Sequence, residues 1–202
     1  MLFKKGLSIK TQAIEREFKT MLTADQFNHI NRDYPFIAPF SQTNYYFELP
    51  KQGLASRHWG LRIRRFATFA EQTLKVPMVK ATHSLLEITD QLTNQQAIQA
   101  IERQQPLNTG QVAAYLVERA IELADLFIWG QATTQRQTCP LPNGLLTLDY
   151  THYPDQTQDY EIELEVHDIH QGAATFEKLT SKYQLSQQPP RNKVARAHIH
   201  QR

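Results

Sequence analysis

Apolar and polar residues alternate in the manner of half-buried strands along two stretches of the chain, Ala13 to Lys19 and Asp159 to His167. Such alternation predicts half-buried strands, because successive strand side chains point to opposite faces. Weaker versions at Thr43–Leu49, Gly60–Phe66, Gln72–Val76, Leu126–Gln137 and Leu145–Tyr153 predict further strands, so the protein is mostly β. Helices interrupt them. Thr23-Ala24-Asp25-Gln26 and Thr93-Asn94-Gln95-Gln96 both read as capping boxes, in which Thr accepts from the backbone and Gln reaches back. A third helix follows Thr109, with Val112, Leu116, Ala120 and Leu123 at spacings of three and four, and a fourth places Phe176, Leu179 and Tyr183 on one side before Pro189-Pro190 ends it. Pro140-Leu141-Pro142-Asn143-Gly144 reads as a turn between two strands, since Pro fixes φ and Asn-Gly tolerates positive φ. No repeat or linker breaks the pattern, which predicts one domain over residues 1–202.

The same alternation sorts the charges. Residues two apart in a strand lie on one face about 7 Å from each other. In the first strand Glu15, Glu17 and Lys19 share a face opposite Ile14 and Phe18, and in the last Glu161, Glu163 and Glu165 stand opposite Ile162, Leu164 and Val166. Arg62 and Arg64 lie opposite Leu61 and Ile63, Lys75 opposite Leu74 and Val76, and Asp149 opposite Leu148 and Tyr150. The apolar faces need a cover, which the amphipathic helices can supply. The charged faces can meet either bulk water or a shared interior. Carboxylates in register repel one another and raise their own pKa values unless cations neutralise them. Mg²⁺ or Mn²⁺ is suited to that task, because both prefer hard oxygens from a few carboxylates completed by water and phosphate. Arg62, Arg64, Lys19, Lys75 and Arg136 supply the opposite sign, and the planar fork of Arg matches phosphate oxygens. Acids with metal on one side and bases on the other describe a phosphoryl-transfer site.

Composition narrows the field. A formal net charge of +2, 41% hydrophobic residues and 21% charged residues exclude a disordered chain or a broadly basic nucleic-acid binder. Met1-Leu2-Phe3-Lys4-Lys5 is not followed by the apolar core of a leader, and no run approaches the roughly 18 apolar residues of a membrane span, so a cytoplasmic protein with no membrane or nucleic-acid partner is expected. The single cysteine, Cys139, cannot form an internal disulfide, and no CxxC or HExxH spacing offers a zinc site. His198 and His200 read as tail residues, and Trp59 and Trp129 as core or rim aromatics.

Taken in order, these elements resemble the CYTH domain of the triphosphate tunnel metalloenzyme superfamily, especially its compact members from Gram-positive bacteria. The opening Glu-x-Glu-x-Lys motif stands as Glu15-Arg16-Glu17-Phe18-Lys19. The resemblance continues through Asn44-Tyr45-Tyr46-Phe47-Glu48, Leu61-Arg62-Ile63-Arg64, Thr73-Leu74-Lys75, Glu87, Thr134-Gln135-Arg136, Leu148-Asp149, Glu161 to Glu165 and Asn192-Lys193-Val194-Ala195-Arg196. It implies an α+β fold: an eight-stranded antiparallel β-barrel forming a tunnel, with flanking helices, that binds a triphosphate-containing small molecule with Mg²⁺ or Mn²⁺. By the same resemblance Glu15, Glu17, Glu163 and Glu165 are metal ligands, with Glu161, Glu87 and Asp149 completing the acidic side. Arg62, Arg64, Lys75, Arg136, Lys193 and Arg196 bind phosphate, and Lys19, with Glu17 and Glu163, serves the reacting phosphoryl group. Two positions depart from the pattern: Glu48 stands where many relatives carry Asp, and Thr151 where some triphosphatases carry Lys.

The activity implied is metal-dependent hydrolysis of a triphosphate, most simply inorganic triphosphate. The alternatives are a class IV type adenylate cyclase, and non-catalytic binding of a polyphosphate or regulatory nucleotide. Any of these requires that triphosphate with Mg²⁺ raise the melting temperature, since a ligand confined to the folded state stabilises it by mass action. The shift, read by differential scanning fluorimetry, should shrink at high salt. No shift with any polyphosphate would mean the charged faces simply meet water.

Overall fold

Strands with one charged and one apolar face need two environments, and eight of them obtain both by closing into a barrel. The computed structural model describes residues 12–78, 83–188 and 190–201; Met1–Lys5 and Pro189 lie outside the described residues. The strands are β1 (Gln12–Leu22), β2 (Phe40–Glu48), β3 (Gly60–Arg65), β4 (Ala70–Pro77), β5 (Ser84–Leu92), β6 (Phe127–Leu141), β7 (Gly144–His152) and β8 (Gln158–Val166). Their order around the barrel is β1-β5-β4-β3-β2-β6-β7-β8. Every pairing is antiparallel. β1 closes the ring by dividing its length: Gln12–Arg16 pair with β5, and Glu17–Leu22 pair with β8. That register sets Glu17 opposite Glu165 and Lys19 opposite Glu163.

The barrel is polar inside and apolar outside. Helices α1 (Ala24–Asp33), α2 (Asn94–Glu102), α3 (Gln111–Val117), α4 (Ile169–Tyr183) and α5 (Lys193–Ile199) lie on its outer wall and ends. Leu61, Ile63, Leu74 and Ile88 pack against Ala97 of α2 and Val112 and Leu116 of α3 in one core. Leu146, Leu148, Ile162 and Leu164 pack against Phe27 and Ile30 of α1 and Leu179 and Tyr183 of α4 in a second. A third, smaller cluster joins Tyr46, Ala132 and Tyr153 to Ala197 of α5. Each fully buried aliphatic side chain contributes about 1.5–3 kcal/mol.

Both capping boxes form: Thr23 and Gln26 at α1, and Thr93 and Gln96 at α2, exchange the two expected hydrogen bonds. Other expectations need correction. The third helix stops at Val117; Ala120 adopts φ 56°, and Leu123 belongs to a short 3-10 turn, so neither extends the stripe of α3. The fourth helix ends at Tyr183, where Gln184 turns left-handed at φ 51°, well before Pro190. In the turn after β6, Asn143 and Gly144 keep negative φ. Gly144 is needed for a different reason: a Cβ there would run into the carbonyl oxygen of Glu165 on β8. The residues read as a C-terminal tail form α5, capped by Asn192, whose side chain accepts from Ala195 N–H at 2.8 Å. Gly130 lets α5 approach β6, since a Cβ there would sit 2.9 Å from the backbone at Ala197. His198 stacks on Trp129 with centroids 3.8 Å apart, and His200 meets Asp155 at 2.8 Å, so both hold α5 on the barrel.

If the outer cores hold the barrel shut, Leu74→Ala, at a fully buried site facing α2 and α3, should cost about 2–5 kcal/mol in chemical denaturation. A cost below about 1 kcal/mol would show that the helices are not what closes the sheet.

Candidate active site

The inward faces of β1, β2, β3, β4, β5, β6 and β8, with the start of α5, enclose a cavity of about 310 Å³. That is near the lower end of the roughly 300–1,000 Å³ typical of small-molecule sites. Its acidic lining is Glu15, Glu17, Glu87, Glu163 and Glu165; its basic lining is Lys19, Arg62, Arg64, Lys75, Arg136 and Lys193. Cations and acids alternate around the wall. Lys19 bonds Glu17; Lys75 bonds Glu15 and lies 3.3 Å from Glu87. Arg64 Nε donates to Asn44 at 2.9 Å and its Nη1 approaches Glu71 at 3.3 Å. Burial, then the nearby Arg62 and Arg136, lower the Arg64 pKa. Arg62 Nε is buried with no partner among the described residues. A buried donor left unpaired costs about 1–3 kcal/mol, so a phosphate oxygen there would be strongly favoured.

Three of the expected site residues stand outside this lining. Asp149 is fully buried. It receives two parallel bonds from Arg136, at 2.8 and 2.6 Å, and a third from Lys193 at 2.5 Å. Glu161, 1% exposed, is bonded by Arg196, which also reaches Asp159 at 3.0 Å and the Tyr153 hydroxyl at 3.3 Å. These groups are spent on one another. In this arrangement Asp149 and Glu161 are braced by cations from β6 and α5, and Arg196 pins α5 instead of lining the cavity. Glu163 bridges the brace and the cavity, accepting from Arg136 and Lys193 at 2.7 Å each. Burial alone would raise its pKa, but Lys193, Arg136 and Lys19 together hold it well below the ordinary value. Burial likewise opposes the charge of Asp149, and Arg136 and Lys193 overcome it. Glu161 is pushed up by burial.

The donor set suits a hard divalent cation only in part. Among the described residues no three Asp, Glu, His or Cys side chains converge closely enough to hold an ion unaided. Glu165, however, makes no ion pair among the described residues and faces Glu17 across the β1–β8 ladder. Partial burial, then Glu15, Glu87 and Glu17, push its carboxyl up. A cation shared by Glu15, Glu17 and Glu165 would relieve that repulsion. Mg²⁺-type ions bind through one or two carboxylates plus water and substrate phosphate, so an incomplete protein cage fits them.

The family model described as the CYTH domain matches residues 13–198. This chain belongs to the CYTH domain family. A CYTH relative from Bacillus subtilis (strain 168), named "Putative triphosphatase YjbK", is 32% identical over 193 residues, covering 92% of this chain and 95% of that one. The crystal structure of a Bacillus halodurans protein described as a putative adenylate cyclase superposes with a TM-score of 0.83 at 30% identity, covering 93% of this chain and 98% of that one. A Hippeastrum protein described as a putative adenylyl cyclase with a dominant triphosphatase activity has a TM-score of 0.76 at 17% identity over 93% and 96% of the two chains, which speaks to the fold alone.

Both departures from the pattern find their place in this CYTH barrel. Glu48 is buried and accepts from the N–H groups of Leu49, Leu54 and Ala55 at 2.6–2.9 Å, so it organises the turn that leads into β3. Thr151, 2% exposed, shares a 3.0 Å hydroxyl bond with Thr134 and lies outside the cavity lining. Trp59, read as a core or rim aromatic, lines the cavity, as do Tyr46 and His58, which carried no such reading; of these two only Tyr46 had a signal, its alternation with Asn44 on β2.

The brace makes a sharp prediction. Asp149→Asn leaves Arg136 and Lys193 short of their acceptor, and removing one partner of a buried pair costs about 3–5 kcal/mol. Asp149 and Glu163 have folded-state pKa values below their ordinary 3.8 and 4.5. Their stabilisation is therefore complete at neutral pH and is lost as the pH falls below about 4. In EDTA, Asp149→Asn should unfold more easily at pH 7, with the deficit shrinking toward pH 3. Unchanged stability coupled to lost metal affinity would make Asp149 a ligand.

Proposed function

We propose that this protein hydrolyses a triphosphate to diphosphate and phosphate within one barrel unit, most simply inorganic triphosphate, with Mg²⁺ or Mn²⁺ as the ion. The observation that carries the reading is the convergence of cations from β1, β3, β4, β6 and α5 on one small cavity whose Arg62 Nε has no partner among the described residues. The triphosphatase name of the Bacillus subtilis relative, similar over nearly the whole chain, supports it.

Arg62, Arg64 and Lys75 line one side of the cavity and Arg136 and Lys193 another, so together they can hold a chain of phosphates. Arg136 and Lys193 are locked in place by Asp149 and Glu163, which spares the entropy of ordering them at each turnover. Lys19 differs from the rest. It stands on β1 between Glu17, which it bonds, and Glu163, its neighbour across the ladder. Burial opposes its charge, but Glu17 and Glu163 raise its pKa overall, so it stays cationic where acids and bases meet. A water oxygen attacking the terminal phosphorus there forms one P–O bond while the bridging P–O bond breaks and diphosphate leaves, one water hydrogen staying on the new phosphate and the other passing to the diphosphate or to solvent. Lys19 stabilises the charge that shifts onto the phosphate oxygens. A divalent ion held by Glu15, Glu17 and Glu165 would neutralise phosphate charge and ease ionisation of the attacking water.

Lys19→Ala should lower kcat for phosphate release at least about a hundredfold while weakening calorimetric binding of imidotriphosphate by only a few fold. Arg62→Ala should do the reverse, chiefly weakening binding, by about 1.5–3 kcal/mol for a charged hydrogen bond. Normal turnover with poor binding in Lys19→Ala would reduce Lys19 to another phosphate clamp. Tight analogue binding by the wild type with no phosphate released from any triphosphate would favour sequestration, and cyclic nucleotide in place of phosphate would favour a cyclase.

A further inference from the structure

The cations of the lumen are not neutralised evenly. Arg136 and Lys193 share Asp149 and Glu163 through contacts of 2.5–2.7 Å, so two cations meet two acids. Lys75 alone meets Glu15 and Glu87. Arg62 and Arg64 on β3 stand apart from this balance. Among the described residues a single carboxylate lies within 4.0 Å of either guanidinium, that of Glu71.

Glu71 stands near the start of β4, and the register places it directly opposite Arg64. It alternates with Thr73 and Lys75, so it shares the inner face of the strand with Lys75. One oxygen, Oε1, serves both arginines, at 3.3 Å from Arg64 Nη1 and 4.0 Å from Arg62 Nη2. The arginine side chains are each 12% exposed and that of Glu71 19%, so salt and solvent screen the three charges little. Arg62 and Arg64 line the cavity and Glu71 does not. The carboxylate therefore lies behind the guanidinium groups and leaves their cavity side to phosphate. Burial, Arg62 and Arg136 push the Arg64 pKa down to about 9, and Glu71 is the acid that opposes them.

Two guanidinium groups against one carboxylate leave one positive charge facing the cavity. Without Glu71 there would be two. A stronger clamp would hold triphosphate more tightly, and it would hold the diphosphate product more tightly as well. Binding that is uniform along the reaction lowers KM without raising kcat, and release of product limits the turnover of many enzymes. Accepting the triphosphate reading, we propose that Glu71 is a positioning residue for product release. It holds Arg62 and Arg64 side by side against their mutual repulsion and draws off part of their charge, so that diphosphate leaves the wall. No bond is made or broken at Glu71 itself.

Glu71→Gln keeps the shape of the side chain and removes its charge. In calorimetry it should bind both diphosphate and imidotriphosphate about fivefold or more tightly than the wild type does. Its KM should fall, and kcat for phosphate release should drop about threefold or more, with a first-turnover burst in rapid quench showing that release has become limiting. Glu71→Asp, whose carboxylate sits one methylene further from the arginines, should fall between the two, and it carries the test should Glu71→Gln fail to fold. If the wild type binds both ligands but the variants bind diphosphate no more tightly, or turn over as fast without a burst, the release role is overturned and the triphosphate reading stands. If the wild type binds neither ligand, the triphosphate reading fails and takes the role of Glu71 with it.

Discussion

An eight-stranded barrel has an interior just wide enough to be filled by side chains, so any charge it encloses must be neutralised by another charge within reach. The rest of this structure follows from that constraint. Arg136 and Lys193 are fixed between Asp149 and Glu163; Lys19 is held by Glu17, and Lys75 by Glu15 and Glu87. With the polar groups turned inward, the apolar faces of the same strands turn outward, and the helices exist to cover them. The lumen is thus preorganised but not fully satisfied. Arg62 Nε is unpaired and Glu165 lacks a cation among the described residues, and these gaps suit an anion and a divalent ion respectively.

Ion pairs of this kind are weak evidence for stability, because desolvation consumes much of their Coulomb energy. Their value here is positional. Asp149 gives up its contact with solvent to orient two cations whose other side faces the cavity. Arg196 does the same beside α5, tying Glu161 and Asp159 to that helix, so that Lys193 at its start is carried into the wall. The apolar cores supply the free energy, and the lumen charges spend part of it on geometry.

Period-two alternation made the inward faces of β1, β3, β4 and β8 legible in the sequence, including the Glu17–Lys19 and Glu163–Glu165 pairs that the register brings together. Alternation reports only which way a side chain points. Glu161, Glu163 and Glu165 look equivalent along the chain, yet Arg196 claims the first, Arg136 and Lys193 the second, and no cation among the described residues the third, because those partners come from distant segments. β5 was obscured by Asp90, a carboxylate on an otherwise apolar outer face. It is there to accept from the Gln111 and Val112 N–H groups at the start of α3. α5 was hidden by its position near the end of the chain and by its short length, and its docking depends on Gly130 and Trp129 in β6. The aromatic cluster formed by Phe40, Phe66 and Phe69 joins β2 to the β3–β4 turn and has no periodic signal at all.

The central claim is a division of labour among the lumen carboxylates, with Glu15, Glu17 and Glu165 left for a divalent ion while Asp149 and Glu161 serve only as braces. Crystals grown with Mn²⁺ and imidotriphosphate test it most directly, through the anomalous scattering of the ion. The account predicts a peak within about 2–2.5 Å of carboxylate oxygens of Glu15, Glu17 or Glu165, with the Arg136–Asp149–Lys193 contacts unchanged. A peak coordinated by Asp149 or Glu161, with Arg136 and Lys193 displaced, would contradict it.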